Sequence, residues 1–405
     1  KSPLELINID PDIDIYTTKR QENGDLLAVG HKKYSGKKNG VIIEINGQGK
    51  LMNFLEIQES GNQTFTNIIL LKDGNYVVVG NTDQKENSQN AIFTESALVE
   101  KYNRSGKKID SFYYGLTAYD AFFDIIELDN GNLIVTGSSI VGLNSSNTAF
   151  LHLLSLNESL DVVWDIGSKF EFEFILNTGH ELFYENGLLY LVSSTYIGNQ
   201  SPPLAYFKIY KINESTGEII QISEIDDYPN YQTSTGDLNN REHGFRHIPV
   251  KITSNNSSFF LSFIHAYPNL DMVESDTILG TLQYPAGSGV INYKLLEIDK
   301  NSLSTKNIYV DSFSGFRPRD IMIQDEKVIT IFDSFDDLLI TTNDLDNIGS
   351  KDLVQKYYIR GTESINRAYS ISRVNGGYLL FCSSNNETNI NKSFYKIKLN
   401  ENFQY

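Results

Sequence analysis

Apolar and polar positions recur along this chain in a fixed order. An Asn-Gly or Asp-Gly pair is followed by a short apolar run, and the run ends in a small residue, Gly or Ser. Five clear copies of this motif are present: QENGDLLAVGH (21–31), KDGNYVVVGNT (72–82), DNGNLIVTGSS (129–139), ENGLLYLVSS (185–194) and NGGYLLFCSS (375–384). Two degenerate copies are also present: SNNSSFFLSF (254–263) and QDEKVITIFDS (324–334). Each copy has an apolar-alternating stretch before its turn pair, which predicts two antiparallel strands joined by a tight turn.

Two more alternating stretches follow each hairpin, as in GVIIEIN (40–46) and KLMNFLEI (50–57), with a short Asn- and Gly-containing turn between them. Each repeat therefore predicts four antiparallel strands. Helical periodicity is almost absent, and the chain is rich in β-branched and aromatic residues, which suit strands. Seven such units predict an all-β, seven-bladed β-propeller, an architecture in which radial repetition leaves only short sheet edges.

The two ends of the chain predict how the ring closes. The last unit ends after its third strand, and PLELINI (3–9) is an additional strand with no hairpin partner. We therefore expect the N-terminal strand to complete the last blade, because an open edge strand invites aggregation. The expected domain is a single propeller over residues 1–405. Its expected blades are 13–57, 63–114, 120–166, 178–225, 246–312, 317–359, and 367–405 completed by 3–9.

Composition narrows the classes of partner. The formal net charge of −17 opposes binding to a phosphate backbone, and no basic stripe interrupts it, so nucleic acid is not an expected partner. No apolar run approaches the length needed to cross a bilayer. The one cysteine, Cys382, lies in an apolar run and is expected in the core. The chain begins at Lys1, which is consistent with a trimmed mature chain.

Loop lengths predict which end of the propeller binds. In such a ring, the first-to-second and third-to-fourth turns of every blade lie at one end. The second-to-third loops and the inter-blade loops lie at the other end. The first set is short, whereas the second includes four long segments: 31–40, 81–95, 226–243 and 265–289. Long loops on a rigid scaffold are where binding groups usually occur. We call this end the long-loop face and the opposite end the short-turn face.

Three arginines precede the inner strands of consecutive units: Arg246, Arg317 and Arg367. His180, His247 and Arg319 fall near the same rim. Guanidinium groups at a channel mouth predict a site for a carboxylate, sulfate or phosphate, which they can bind bidentately. The alternative is structural: each arginine pairs with an acidic residue of a neighbouring blade, for which Asp120, Asp124 and Asp320 are candidates.

Tyrosines of the long loops, Tyr228, Tyr267 and Tyr284, are candidate stacking surfaces for sugars or protein partners, or else anchors within their own loops. His243 and His247 have the HxxxH spacing but lie in a loop, so no transition-metal site is predicted. Asp10, Asp12 and Asp14 alternate on an extended segment and could hold calcium; an ordinary acidic loop is the expected alternative. No cofactor is predicted. Catalytic motifs for acyl or phosphoryl transfer are absent.

The repeat consensus, with Asn/Asp-x-x-Gly before the fourth strand and Trp164 after the third turn of its unit, resembles repeats of bacterial secreted or surface-anchored β-propeller proteins. The resemblance covers nearly the whole chain and concerns the fold; it implies a secreted or cell-surface protein, with a lipid anchor as one option. The expected function is recognition of an extracellular anionic glycan or peptide on the long-loop face. Two alternatives remain: a hydrolase or lyase acting on an acidic polysaccharide, and a protein-interaction scaffold.

Overall fold

A computed structural model gives the fold of the protein. It describes residues 4–21, 23–83, 95–115, 119–141, 148–166, 175–197, 204–225, 246–266, 292–312, 317–333, 338–348, 355–359, 367–385 and 392–404. The regular structure of these residues is β-strand, apart from one 3-10 turn at Leu345–Asn347. The strands are β1 to β28 in chain order.

The seven blades are antiparallel sheets of four strands each. The first three blades contain β2 (Ile13–Arg20), β3 (Leu26–Tyr34), β4 (Lys37–Ile45) and β5 (Leu51–Ile57); β6 (Gln63–Leu70), β7 (Tyr76–Thr82), β8 (Ser96–Tyr102) and β9 (Lys108–Tyr114); and β10 (Tyr119–Glu127), β11 (Leu133–Val141), β12 (Thr148–Leu156) and β13 (Val162–Asp165).

The next three blades contain β14 (Ile175–Glu185), β15 (Leu188–Ile197), β16 (Leu204–Asn213) and β17 (Ile219–Ile225); β18 (Arg246–Ser254), β19 (Ser258–Ala266), β20 (Asn292–Asp299) and β21 (Thr305–Ser312); and β22 (Arg317–Gln324), β23 (Lys327–Asp333), β24 (Leu338–Asp344) and β25 (Gln355–Ile359). Blades 3 and 4 are also joined by one parallel bridge between β12 and β14, at Ala149 and Leu176.

The seventh blade contains β26 (Arg367–Val374), β27 (Gly377–Asn385) and β28 (Lys392–Leu399), and β1 (Leu4–Ile7) is its fourth strand. β1 pairs antiparallel with β28, from Leu4 opposite Ile397 to Ile7 opposite Phe394. The predicted seven-bladed propeller, closed by its N-terminal strand, is therefore confirmed. Closure gives the last blade the same four strands as the others, and it joins the two ends of the chain.

The recurring Asn or Asp before the fourth strand shapes the turn that follows. The side-chain Oδ1 of Asn103 accepts hydrogen bonds from the backbone N–H groups of Ser105 and Lys107, at 3.0 and 2.9 Å. Asn46, Asn157 and Asn400 repeat this arrangement in other blades. Side chains of this type mimic a backbone turn, so this part of the motif is structural.

The glycine that ends the apolar run of the motif is required by a close contact between two strands. Gly30, Gly80 and Gly137 each lie opposite a β-bulge of the adjacent inner strand. A Cβ atom at these glycines would lie 1.8 to 2.0 Å from a carbonyl oxygen of the bulged strand. Only glycine allows the two backbones to approach so closely, and the motif therefore marks the bulge.

The core lies between adjacent blades. Alternate residues of each sheet face one neighbouring blade or the other, as Val77 and Val79 of β7 face Phe122 and Ile125 of β10. Cys382 is fully buried in the last blade, as predicted, and burial raises the pKa of its thiol. In the part of the chain that the structure describes, no helix is long and apolar enough to cross a membrane.

Two adjacent residues of β1 test the closure. Ile7 is 5% exposed and packs in the core between the last and first blades, whereas Leu6 is 66% exposed. We expect Ile7→Ala to lower the free energy of unfolding by about 2–4 kcal/mol, because it leaves a cavity at the closure. The matched Leu6→Ala change should alter it by less than about 0.5 kcal/mol. Urea denaturation measures both; equal effects of the two changes would contradict the pairing.

Candidate functional site

The channel of the propeller is lined by the seven inner strands, and each of them carries a β-bulge. The ladder of each inner strand skips one residue where it pairs with the second strand. The skipped residues are Tyr16, Thr66, Phe123, His180, Val250, Arg319 and Tyr369. Two of the predicted rim residues, His180 and Arg319, therefore occupy equivalent positions. A bulge turns side chains out of the regular alternation, and here it does so at the same level of every blade.

Carboxylates that directly follow the bulge connect neighbouring blades. Three of them accept a hydrogen bond from a backbone N–H group of the next inner strand. The pairs are Asp124 Oδ2 with Leu182 N at 2.7 Å, Glu181 Oε2 with Ile252 N at 2.9 Å, and Asp320 Oδ2 with Ile371 N at 3.1 Å. These side chains satisfy backbone donors along the edge of the channel, so their primary role is structural.

Two basic residues of the first blade cross the channel. Lys19 Nζ donates to the carbonyl of Ile125 at 3.0 Å and lies 3.6 Å from Asp124. Arg20 Nη2 donates to Asp320 Oδ2 at 2.7 Å and to the carbonyl of Ile321 at 3.0 Å. Their partners are in blades 3 and 6, each two positions away around the ring. Because Lys19 and Arg20 end β2, they bridge the channel on its short-turn side.

Glu181 is a carboxyl group of the channel with a raised pKa. Burial raises its pKa to about 7, and the nearby Asp124 raises it further. Lys251, Lys19 and the N–H of Ile252 act in the opposite direction, and Lys251 Nζ lies 3.9 Å from Glu181. Sequence reasoning missed this cluster, because its members come from four blades without a common motif.

The rim arginines do not share one register. Arg317 and Arg367 each lie two residues before the bulge, whereas Arg246 lies four residues before it. Arg246 is therefore one pleat farther towards the long-loop face. The side chains of Arg246, His247 and Arg317 lie outside the described residues. So do Tyr228, Tyr267, Tyr284 and His243.

Arg319 is held by an acidic partner that the sequence did not indicate. Its Nε donates to Asp333 Oδ2 at 2.7 Å, and the same oxygen accepts the backbone N–H of Ala368, in the next blade, at 2.8 Å. Asp333 belongs to the same blade as Arg319, so this ion pair differs from the predicted pairing of Arg246, Arg317 or Arg367 with an acidic residue of a neighbouring blade. The three candidate partners are engaged elsewhere: Asp320 with Arg20, Asp124 with Lys19, and Asp120 with Ser139.

Arg367 has a different environment. Its guanidinium carbon lies 5.4 Å from the centre of the Tyr369 ring, a cation–π arrangement. Within the residues that the structure describes, no carboxylate lies within 4.0 Å of it. The side chain is half-buried at the long-loop end of its strand. Of the two predicted rim arginines whose side chains the structure describes, Arg319 has an acidic partner and Arg367 has none among the described residues.

His180 does not add charge to this rim at neutral pH. Burial lowers its pKa to about 4, so the imidazole is neutral. His31 of the first blade behaves in the same way, since burial lowers its pKa to about 3. The positive charge of the described rim therefore comes from arginine and lysine side chains.

A buried cluster in blade 3 brings together a serine, a histidine and an aspartate. Ser139 Oγ makes hydrogen bonds with both Asp120 Oδ1 and His152 Nε2. In a hydrolytic triad the histidine lies between the other two groups, whereas here the serine does. Ser139 is 0% exposed, and burial lowers the pKa of His152 to about 4. This geometry gives no accessible nucleophile, so the cluster is a buried polar network.

Two of the three N-terminal aspartates, Asp10 and Asp14, have basic partners. Asp10 pairs with Lys32 at 2.7 Å and Asp14 with Lys33 at 2.6 Å. Among the described residues, no group of three or more His, Cys, Asp or Glu side chains has the geometry to hold a metal ion. The acidic-loop interpretation of this segment therefore fits its contacts.

Comparison with solved structures places the fold. The polysaccharide lyase Uly1 superposes with a TM-score of 0.56 at 11% identity, covering 98% of this chain and 91% of that one. The Dos1 propeller gives 0.49 at 10% identity (99% and 91% covered). The β-propeller domain of the trilobed protease from Pyrococcus furiosus gives 0.45 at 9% (96% and 94%). A scan against models of protein families gives no match, and neither does a search of curated protein sequences.

At such identities the likeness concerns the fold alone. The class that the fold defines is a seven-bladed β-propeller closed by its N-terminal strand.

The raised pKa of Glu181 predicts a pH-dependent stability. A carboxyl group whose pKa is higher in the folded state destabilises that state when ionised, so its effect is absent below about pH 4.5 and grows until about pH 7. We expect the free energy of unfolding to fall between pH 5 and 8 by roughly 1–3 kcal/mol more in the native protein than in Glu181→Gln. Gln keeps an acceptor for the N–H of Ile252.

Urea titrations at several pH values measure this difference. Glu224→Gln is the matched control, because Glu224 is an exposed residue of the same blade that pairs with Lys208. Parallel pH profiles for the native protein and Glu181→Gln would show that Glu181 is not a buried titrating group.

Proposed function

We propose that this propeller binds an acidic glycan at the long-loop mouth of its channel, outside the cell. The observation that carries the proposal is Arg367, a half-buried guanidinium at the mouth with no acidic partner among the described residues. A buried or half-buried cation is costly unless it is paired, and the carboxylate or sulfate of a ligand would supply the pair. Arg317 starts its strand in the same register one blade away and is the second candidate contact.

We expect a glycan as the ligand in preference to an extended peptide. Lys19 and Arg20 bridge the channel on the short-turn side, so a ligand that enters from the long-loop side would meet their side chains. An extended peptide is usually recognised at an exposed sheet edge or in a groove, whereas a sugar ring fits a shallow polar recess. The tyrosines of the long loops, Tyr228, Tyr267 and Tyr284, are proposed as stacking surfaces in line with their sequence positions. The setting, secreted or at a bacterial cell surface with a lipid anchor as one option, is proposed on the repeat resemblance alone.

Catalysis on an acidic polysaccharide is the second candidate. Its supporting observation is Glu181, a channel carboxyl whose raised pKa of about 7 suits proton transfer. Against it, Asp124, Glu181 and Asp320 each accept a backbone hydrogen bond from the next blade, which fixes them as structural groups. Uly1 is a polysaccharide lyase, but the likeness of this chain to it concerns the fold. Binding without chemistry is therefore the function we favour.

A protein-interaction scaffold would expose a broad apolar patch on the long-loop face. In the described part of the chain, the large exposed apolar residues lie mainly on the outermost strands instead. They are Leu6, Met52, Ile109, Val162, Val163, Ile220, Ile222 and Ile308. Tyr34, at the tip of the β3–β4 hairpin, is the exception, and its hydroxyl is bound to Glu56. A protein-interaction scaffold stays the third candidate.

An array of acidic and neutral glycans, with acidic peptides as a second arm, tests the proposal. We expect Arg367→Ala to weaken acidic-glycan binding by roughly 10- to 100-fold, the value of one charge-assisted hydrogen-bonded pair. Arg246→Ala and Arg317→Ala should weaken it to a smaller extent. Arg367→Lys should give an intermediate loss, because it keeps the charge but not the planar fork.

Arg373→Ala is the matched control. Arg373 lies at the opposite, short-turn end of the same strand and pairs with Glu401 there, so its removal should leave binding unchanged. Unaltered binding in all three rim variants would contradict a binding site formed by these arginines. Binding of acidic peptides alone would show that the ligand is a peptide and not a glycan. Release of unsaturated or shortened products from an acidic polysaccharide, followed by ultraviolet absorbance and reducing-end assay, would favour the catalytic candidate.

A further inference from the structure

The outermost strands of blades 1 to 5 carry a second set of β-bulges, close to the short-turn face. In each of these blades the ladder between the third and fourth strands skips one residue near the start of the fourth strand. The skipped residues are Met52, Ile109, Val163, Ile220 and Lys306, in blades 1 to 5 respectively. Bulges and charged side chains are both ways to keep an edge strand from pairing with another chain, and Lys306 combines the two.

In blades 1 to 4 the skipped residue is apolar and exposed to solvent. We call these four residues, Met52, Ile109, Val163 and Ile220, the outer band. Each of them is 48% to 56% exposed. In blade 5, by contrast, Lys306 pairs with Asp299 at 3.0 Å. The fold thus accepts a charged residue at this position, so neither the core nor edge protection explains four apolar residues in consecutive blades. Apolar groups that recur on one exposed surface are typical of an interface.

The residue two positions before each member of the outer band is charged, and its sign changes once around the ring. Each of these residues ends the third-to-fourth turn, where its carbonyl accepts the backbone N–H of the turn asparagine. They are Lys50, Lys107, Asp161 and Glu218, in blades 1 to 4 respectively. All four are exposed, and none of them forms an ion pair with another described residue. At this position the outer surface is therefore positive on blades 1 and 2 and negative on blades 3 and 4.

This distribution of charge is complementary to that of a second copy of the chain. A two-fold axis parallel to the channel, outside the ring between blades 2 and 3, places blade 2 of each copy against blade 3 of the other. The rotation keeps every residue at its level, so Lys107 meets Asp161, Ile109 meets Val163, and each contact occurs twice. A two-fold axis in the plane of the ring would place blade 2 against blade 2 and pair like charges. The sign change therefore selects the parallel axis.

We propose that two copies of this chain associate side by side through the outer strands of blades 2 and 3, with blades 1 and 4 at the ends of the contact. Burial of the outer band stabilises the dimer, and the charged pairs fix its register. The proposal concerns a different surface from the channel mouth and does not rest on the proposed function. In such a dimer both long-loop faces point the same way, so both mouths are available to one polymeric ligand.

A charge placed in the outer band tests the contact. Sedimentation velocity of the full chain from about 1 to 100 µM should show a monomer–dimer equilibrium. Ile109→Lys gives blade 2 the residue type of blade 5, and it should raise the dissociation constant at least about tenfold, because the two-fold axis places the buried charge in the contact twice. Ile308→Lys is the matched control. Ile308 is an exposed residue of the outer strand of blade 5, outside the contact, so its change should leave the dissociation constant unaltered.

Reversal of single charges tests which residues face each other. Lys107→Glu places a carboxylate opposite Asp161 of the second copy, and Asp161→Lys places an ammonium group opposite Lys107. Each variant alone should dimerise at least about tenfold more weakly than the native chain. An equimolar mixture of the two variants should dimerise again, because both contacts then join opposite charges. Lys72→Glu is the control, since Lys72 is exposed on the same blade but lies in the first-to-second turn, away from the outer strand.

The outcomes decide the proposal. A native chain that sediments as a monomer at every concentration overturns it, and so does a dimer that Ile109→Lys and both charge reversals leave intact. A mixture of the two monomeric reversal variants that stays monomeric shows that Lys107 and Asp161 do not face each other, which also overturns it. A dimer recovered in the mixture supports the proposal and shows that both variants are folded, because misfolded chains would not restore each other's association.

Discussion

The structure depends on how the inner strands satisfy their backbone groups around an open channel. Each inner strand has a bulge at the same level, and in several blades a polar side chain one or two residues after the bulge binds the backbone of the adjacent blade. Asp124, Glu181 and Asp320 do this with carboxylates, and Thr18 does it with a hydroxyl bound to the carbonyl of Tyr369. Buried N–H and C=O groups must be paired, so this belt of contacts lets seven separate sheets close around one axis.

The proposed function depends on charged groups that this belt of contacts does not bind. Charged groups inside the channel are largely bound to one another or to backbone, and Lys19 and Arg20 bridge the channel itself. At the long-loop rim the pairing is incomplete: Arg319 has Asp333, while Arg367 has an aromatic ring and no carboxylate in the described residues. Desolvated cations with unused donors are where an anionic ligand gains the most. The proposed site is thus the part of the rim where a cation has no acidic partner among the described residues.

Several motifs of the sequence are explained by the structure of the blades. These motifs are therefore not evidence for a function. The Asn of each third turn forms a local side-chain turn, and Gly30, Gly80 and Gly137 give room to a bulge. The Ser139, His152 and Asp120 cluster has the composition of a hydrolase but the geometry of a buried network. Composition alone would not separate these cases, since the order of the groups and their exposure decide what they can do.

The sequence by itself determined the repeat, the four strands of each unit and the closure by the N-terminal strand, because hairpin turns and alternating apolar residues are local signals. It also located Arg317 and Arg367 at equivalent places. Only the tertiary structure decided that Asp333 pairs with Arg319, that Arg20 reaches Asp320, and that Glu181 lies close to Asp124. Those contacts join different strands or blades. Which side chains meet depends on how the blades pack around the ring, and local sequence patterns do not determine that packing.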